Sequence, residues 1–196
     1  DATVYEIAGN ETVCEGSEKD YTFETGFDVY EWDVVAGNGS LNPAVNASTQ
    51  KVLFGMDNGV EVELAVAVGL TSNGITCMSG NVDTINIVIE ADPVVDVDVP
   101  NPTIACNSLG NTFQISPYNS DSQYGVDVVN LPTGMVVTVN DDVITIDVGD
   151  EGGNITIIET TQAGCTSDVN DITMTVTLSG CGRTVNYVAD KNEACA

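Results

Sequence analysis

Six cysteines, thirty aspartates and glutamates and no histidine set the chemistry open to this chain of 196 residues. Without an imidazole the usual general base is missing, and neither Ser17, Ser40 nor the other serines stand in a nucleophile-elbow setting. A glycosidase-type carboxylate pair has to be singled out by its surroundings, and here acids occur along the whole chain. The cysteines are Cys14, Cys77, Cys106, Cys165, Cys181 and Cys195. Their even number points to disulfides, and the lack of histidine and of a Cys-x-x-Cys knuckle argues against zinc. An enzyme is therefore not expected, and no cofactor is required.

The acids offer one kind of site. Ca²⁺ takes six to eight oxygen ligands, and two groups of carboxylates are candidates for it. Asp92, Asp96 and Asp98 form the first; Asp147, Asp150 and Glu151, set among Gly149, Gly152 and Gly153, form the second. Neither completes an Asp-x-Asp-x-Asp-Gly loop, and alternation alone puts Asp96 and Asp98 on one solvent-facing side of a strand. Tyr30 and Trp32 could stack on a sugar ring, which makes a glycan or other surface ligand a candidate partner. Their shared strand face favours a place in the core instead.

Charge removes whole classes of partner. With 4 basic residues and a net charge of −26 the chain repels phosphate backbones, so nucleic acid is excluded. Anionic membrane surfaces are disfavoured likewise. No apolar run approaches the roughly 20 residues that span a bilayer, so membrane insertion is not expected.

The elements that must position these residues are strands. Val, Ile, Thr and Gly dominate, and turns rich in Gly, Asn, Asp and Pro punctuate short alternating runs. In one run Val60, Val62, Leu64, Val66 and Val68 face one way and Glu61 and Glu63 the other; in a later one Ile85, Ile87 and Ile89 point inward and Thr84 and Asn86 outward. Further strands are expected at 2–7, 20–24, 29–35, 51–54, 112–116, 124–129, 135–139, 143–148, 154–159 and 173–178, with Asn140-Asp141-Asp142 as a hairpin turn and no helix. The block Tyr30-Glu31-Trp32-Asp33-Val34-Val35 returns as Tyr124-Gly125-Val126-Asp127-Val128-Val129. A repeat of roughly 90 residues suits two small domains. The division expected is a sandwich at 1–91, a Pro/Asp linker at 92–102, a second sandwich at 103–179 and a tail at 180–196. Residues 94–99 read equally well as the first strand of the second module. On the repeat, Cys14 pairs with Cys77 and Cys106 with Cys165, which leaves Cys181 for Cys195; other connectivities stay open.

The first module, with Val13-Cys14-Glu15-Gly16-Ser17, Tyr21, Tyr30-x-Trp32-x-Val34, Gly39 and Cys77, resembles the PKD-like and immunoglobulin-like repeats of secreted Bacteroidota proteins. The second departs from the pattern at Val126, where the tryptophan would stand. The resemblance implies an all-β fold of two tandem immunoglobulin-like (PKD-like) β-sandwiches with a short extra C-terminal strand. It also implies an adhesin, gliding-motility or other cell-surface setting, and no catalytic residue. The start at Asp1, without methionine or apolar leader, reads as a mature secreted form, extracellular or at the cell surface. Asn10, Asn38, Asn46 and Asn154 head N-glycosylation sequons, and Asp83-Thr84-Ile85 is similar to the short O-glycosylation motif of Bacteroidota.

After Leu178 the tail carries a spare strand, Thr184 to Ala189, whose Thr184, Val185, Tyr187 and Val188 are candidate subunit contacts. Added to the sheet edge of a neighbour, it would join copies of the chain to one another. The expected function is a structural or adhesive one, as a filament subunit or adhesin segment. The alternative is a carbohydrate-binding or spacer module of a secreted enzyme.

Overall fold

The computed structural model describes residues 5–79 and 83–181. The chain is all-β, and its only helical element among the described residues is a single 3-10 turn at Val128–Asn130. Contacts divide it into two units. Unit 1 holds Asp1–Val95, Asn119–Tyr124 and Ile158–Asp168; unit 2 holds Asp96–Tyr118, Gly125–Ile157 and Val169–Ala196. Two stretches that the sequence boundaries gave to the second module, 119–124 and 158–168, thus go with unit 1.

The first half carries β1 (Thr12–Cys14), β2 (Glu18–Thr22), β3 (Val29–Ala36), β4 (Gly39–Leu41), β5 (Thr49–Phe54), β6 (Glu61–Ser72), β7 (Ile75–Met78) and β8 (Asp83–Glu90). One sheet has the order β1-β8-β6-β3, with β7 also on β6, and the other is β2-β5-β4. All pairs are antiparallel except β1 with β8. The expected strand at 2–7 begins outside the described residues; Tyr5–Ile7 is irregular, and the first ladder is β1.

The two sheets are held together by what alternation sends inward. Val62, Leu64, Val66 and Val68 of β6 and Ile87 and Ile89 of β8 meet Tyr21, Val52 and Phe54 of the other sheet in one buried cluster. Val60 lies just before β6 and is exposed, against the expectation for it. Tyr30 and Trp32 are both in this core. Their polar ends are satisfied there: the Trp32 indole N–H donates to the Ala47 carbonyl at 2.8 Å, and the Tyr30 hydroxyl donates to that of Glu24 at 3.1 Å. They serve the fold, and the strand that carries them, β3, is an edge of its sheet. Buried Gln50 fixes the loop before β5, since its amide nitrogen donates to the Pro43 and Lys51 carbonyls and its oxygen accepts from the Val45 amide.

The second half carries β9 (Thr103–Ala105), β10 (Asn111–Gln114), β11 (Gln123–Val126), β12 (Val136–Asn140), β13 (Val143–Asp147), β14 (Gly153–Ile155), β15 (Ile157–Thr160) and β16 (Met174–Ser179). Its pairing copies the first half. The sheet β10-β13-β12 matches β2-β5-β4, and β9 lies parallel to β16 as β1 does to β8. The role of β6 is divided: β14 pairs with β16, and β15 pairs with β11. This is a tandem of two immunoglobulin-like sandwiches. Buried Ile144, Ile146, Ile155, Met174 and Val176 line the second, and among the described residues none of its aromatic rings is fully buried. Asn140 faces Val143, so Asp141 and Asp142 make the expected hairpin turn, and Asp141 has a positive φ of 54°.

Part of the Pro/Asp segment is built into unit 2. Val97 is buried and bridges Ile115, while the Asp98 amide donates to the Gln114 carbonyl and the Ser116 amide to that of Asp96.

Candidate functional site

The disulfides depart from the expected pattern. Cys14 is bonded to Cys165 and Cys106 to Cys181, each pair with Cα atoms 5.3 Å apart, and Cys77 is free and exposed. The pairs Cys14 with Cys77, Cys106 with Cys165 and Cys181 with Cys195 are corrected accordingly; Cys195 itself lies outside the described residues. The reason is distance along the strands. Cys14 faces Glu90, beyond the Glu61 end of β6, whereas Cys77 faces Leu70 near its other end. About nine residues of extended strand make roughly 30 Å, far more than a disulfide bridges. Cys106 and Cys181, by contrast, follow adjacent parallel strands whose last pair is Ala105 with Ser179.

Register shows which residues of the two sandwiches correspond. Cys14 faces Glu90 and Ala105 faces Ser179; the Ser17 hydroxyl donates to the Cys14 carbonyl as the Ser108 hydroxyl does to that of Ala105. Ala105, not Cys106, is therefore the counterpart of Cys14. The match puts Cys106 on Glu15 and Cys181 on Asp92, so the Cys106–Cys181 bond stands where the Asp92 amide donates to a Glu15 carboxylate oxygen at 3.4 Å.

The same reading aligns the hairpins. With Ser179 on Glu90, Met174 falls on Ile85, and their partners Ile155 and Leu64 correspond. From the other side, Asp33 faces Ala65, and the Asp127 amide donates to the Thr156 carbonyl at 3.0 Å. Both routes put Thr156 on Ala65. Five residues further along, Thr161 lies on Leu70 and donates its amide to the Cys165 carbonyl at 2.8 Å. Cys165 is thus the counterpart of Cys77.

Unit 1 holds a polar groove about 680 Å³ in volume. Glu11, Glu90, Asn119, Asp121, Thr161 and Gln162 are among the residues lining it. Two of its lining residues, Gly9 and Asn10, rest on Tyr21: the phenol donates to the Asn10 carbonyl at 2.8 Å, and a side chain at Gly9 would collide with the ring. Three carboxylates with amides and hydroxyls can accept from and donate to a polar ligand. They include no nucleophile with a base beside it.

The candidate calcium ligands are not brought together. Asp92 belongs to unit 1 and Asp96 and Asp98 to unit 2. Asp96 accepts from the Val97 amide at 2.8 Å, Asp98 from Gln114 at 3.0 Å and Asp147 from Gly110 at 2.6 Å, so each of these carboxylates holds backbone. Asp150 and Glu151 are exposed, and neither acidic set gathers three ligand atoms within 4.8 Å among the described residues. The one group that does is Asp92 with Cys14 and Cys165, whose sulfurs are already bonded to each other. Thr184, Val185, Tyr187 and Val188 lie outside the described residues. Among the described residues no helix is long and apolar enough to cross a membrane.

No family model and no curated protein sequence matches the chain. Among solved structures it is similar to the I9-I11 tandem from titin, with a TM-score of 0.32 and 11% identity over 90% of this chain and 66% of that one. It is also similar to the EC3-6 cis-dimer of protocadherin gammaB7, with a TM-score of 0.31 and 12% identity over 89% of this chain and 50% of that one. The chain thus spans about two thirds and one half of those chains.

Proposed function

We propose that the chain is a non-enzymatic structural or adhesive unit of an extracellular surface assembly, a filament subunit that joins copies of itself by strand addition through its tail. One observation carries this reading: a duplicated sandwich in which a disulfide fastens a hairpin from the second half of the chain to the end of β1. Covalent straps of this kind resist mechanical and proteolytic opening, which a load-bearing surface protein needs and which an oxidising compartment permits. Buried polar side chains all have partners among the described residues, so the polar interior is committed to the fold. The net charge of −26 keeps such a unit soluble until a specific edge is offered.

Electron microscopy of the natively purified protein tests the reading. Ordered polymers that vanish when residues 182–196 are deleted are expected. Single particles at every concentration would overturn it.

A further inference from the structure

Strand addition needs an edge, and the edges of this chain are unequal. Among the described residues β1, β4, β9 and β14 have three residues each, and Thr22 at the end of β2 is already bridged to Ala8. At eight residues β3 is the longest edge strand among them. Its Tyr30 amide donates to Asn46 Oδ1 at 2.6 Å and so points away from β6; alternation puts the backbone groups of Trp32 and Val34 on the same outer side. Those groups meet no partner there among the described residues. Beside them the solvent face of the sheet is hollow. Ala65 and Ala67 of β6 stand opposite Asp33 and Glu31, and together with Val35 they line a groove of about 420 Å³.

Exposed Glu31 and Asp33 on this edge repel a chain of net charge −26, so they turn away nearly every segment of another copy. One segment differs. Of the 4 basic residues, Lys19 and Lys51 belong to β2 and β5, with Lys51 paired to Glu18 at 3.0 Å, while Arg183 and Lys191 flank the tail strand. By alternation Arg183, Val185, Tyr187, Ala189 and Lys191 share one face of an extended tail. Tyr187 is four residues from either cation, and Val35 is four residues from Glu31. A strand that sets Tyr187 beside Val35 therefore brings a cation to Glu31 whichever way it runs. We propose that β3 is the acceptor edge for the tail of a second copy, with Tyr187 seated over Ala65 and Ala67 and Arg183 or Lys191 beside Glu31. The acids then select the tail as well as excluding the rest of the chain.

The inference rests on the reading of the chain as a self-assembling subunit, and its test separates the two. Full chains carrying the photoreactive substitution Tyr187→p-benzoylphenylalanine are prepared in isotopically light and heavy forms, mixed, irradiated and digested. Cross-links from position 187 to residues 29–36 or 63–69 are expected, in peptide pairs that join a light copy to a heavy one. In the otherwise unaltered chain, Glu31→Lys should raise the concentration needed for polymers about tenfold. It does so although it makes the chain less acidic and weakens general repulsion. Adding Arg183→Glu or Lys191→Glu, whichever reverses the cation that faces position 31, should restore assembly. Cross-links confined to single chains, or joining copies at another edge, would overturn the proposal, as would Glu31→Lys polymers at the wild-type concentration. If those same polymers vanish on deletion of residues 182–196, strand addition stands and the edge assigned to it is wrong.

Discussion

The first sandwich runs β6 unbroken for 12 residues, whereas the second divides the same stretch into β14 and β15 around Thr156. The doubled block differs in step. In β3, Tyr30 and Trp32 are buried; in β11, Tyr124 and Val126 are only half-buried, and the following Val128 and Val129 leave the strand for an exposed 3-10 turn. One topology is thus stabilised in two ways. Aromatic rings fill the first sandwich, and aliphatic packing with a disulfide across adjacent first and last strands holds the second.

The largest expected effect separates the two blocks. Trp32→Ala should cost about 3–5 kcal/mol in urea unfolding, because it empties the core and leaves the Ala47 carbonyl without its donor. Val126→Ala, at the corresponding half-buried site, should cost about 1 kcal/mol. Equal losses would mean that the two blocks are used alike.

Next come the straps. Replacing Cys14 and Cys165 together with serine should cost about 2–5 kcal/mol and raise hydrogen exchange across 158–168. Removing Cys106 and Cys181 should cost about 0.6 kcal/mol less on loop entropy, since the separations closed are 151 and 75 residues. A larger loss from the second pair would show that the second sandwich depends on its bond more than loop closure explains.

The smallest effect is alkaline. Burial pushes the Tyr21 phenol well above its ordinary value. A raised folded value stabilises the fold fully below the unfolded value, about pH 10, and that contribution is lost as pH rises towards the folded value. Wild type should therefore lose stability from about pH 10 upward, and Tyr21→Phe should flatten that limb in a pH series of thermal melts. Tyr118, raised by burial and then by Asp141 and Asp142, is exposed in the second sandwich. Tyr118→Phe should leave the limb in place.

Much of the fold was legible because alternation reports directly on burial. Val62, Leu64, Val66 and Val68, or Ile87 and Ile89, are inward for the reason that their spacing gives. The doubled block marked β3 correctly, whereas in the second half only Tyr124 to Val126 of it is strand; an edge position depends on pairing partners far away in sequence, and nothing in the block records them. Cysteine connectivity was the least legible. Order along the chain matches Cys14 to Cys106, while register matches Cys14 to Ala105, and the only local sign was the serine three residues on, Ser17 in one half and Ser108 in the other. The candidate calcium ligands read well as a pattern because a carboxylate that caps a backbone amide, as Asp98 and Asp147 do, has the same spacing as one that awaits a cation.

The central claim is that the first and second halves are copies of one sandwich whose counterpart cysteines, Cys77 and Cys165, have different fates. Peptide mapping of the unreduced, alkylated monomer tests it most directly. The account predicts Cys14 bonded to Cys165, Cys106 bonded to Cys181 and an alkylated Cys77. Cys14 bonded to Cys77, with Cys106 bonded to Cys165, would contradict it.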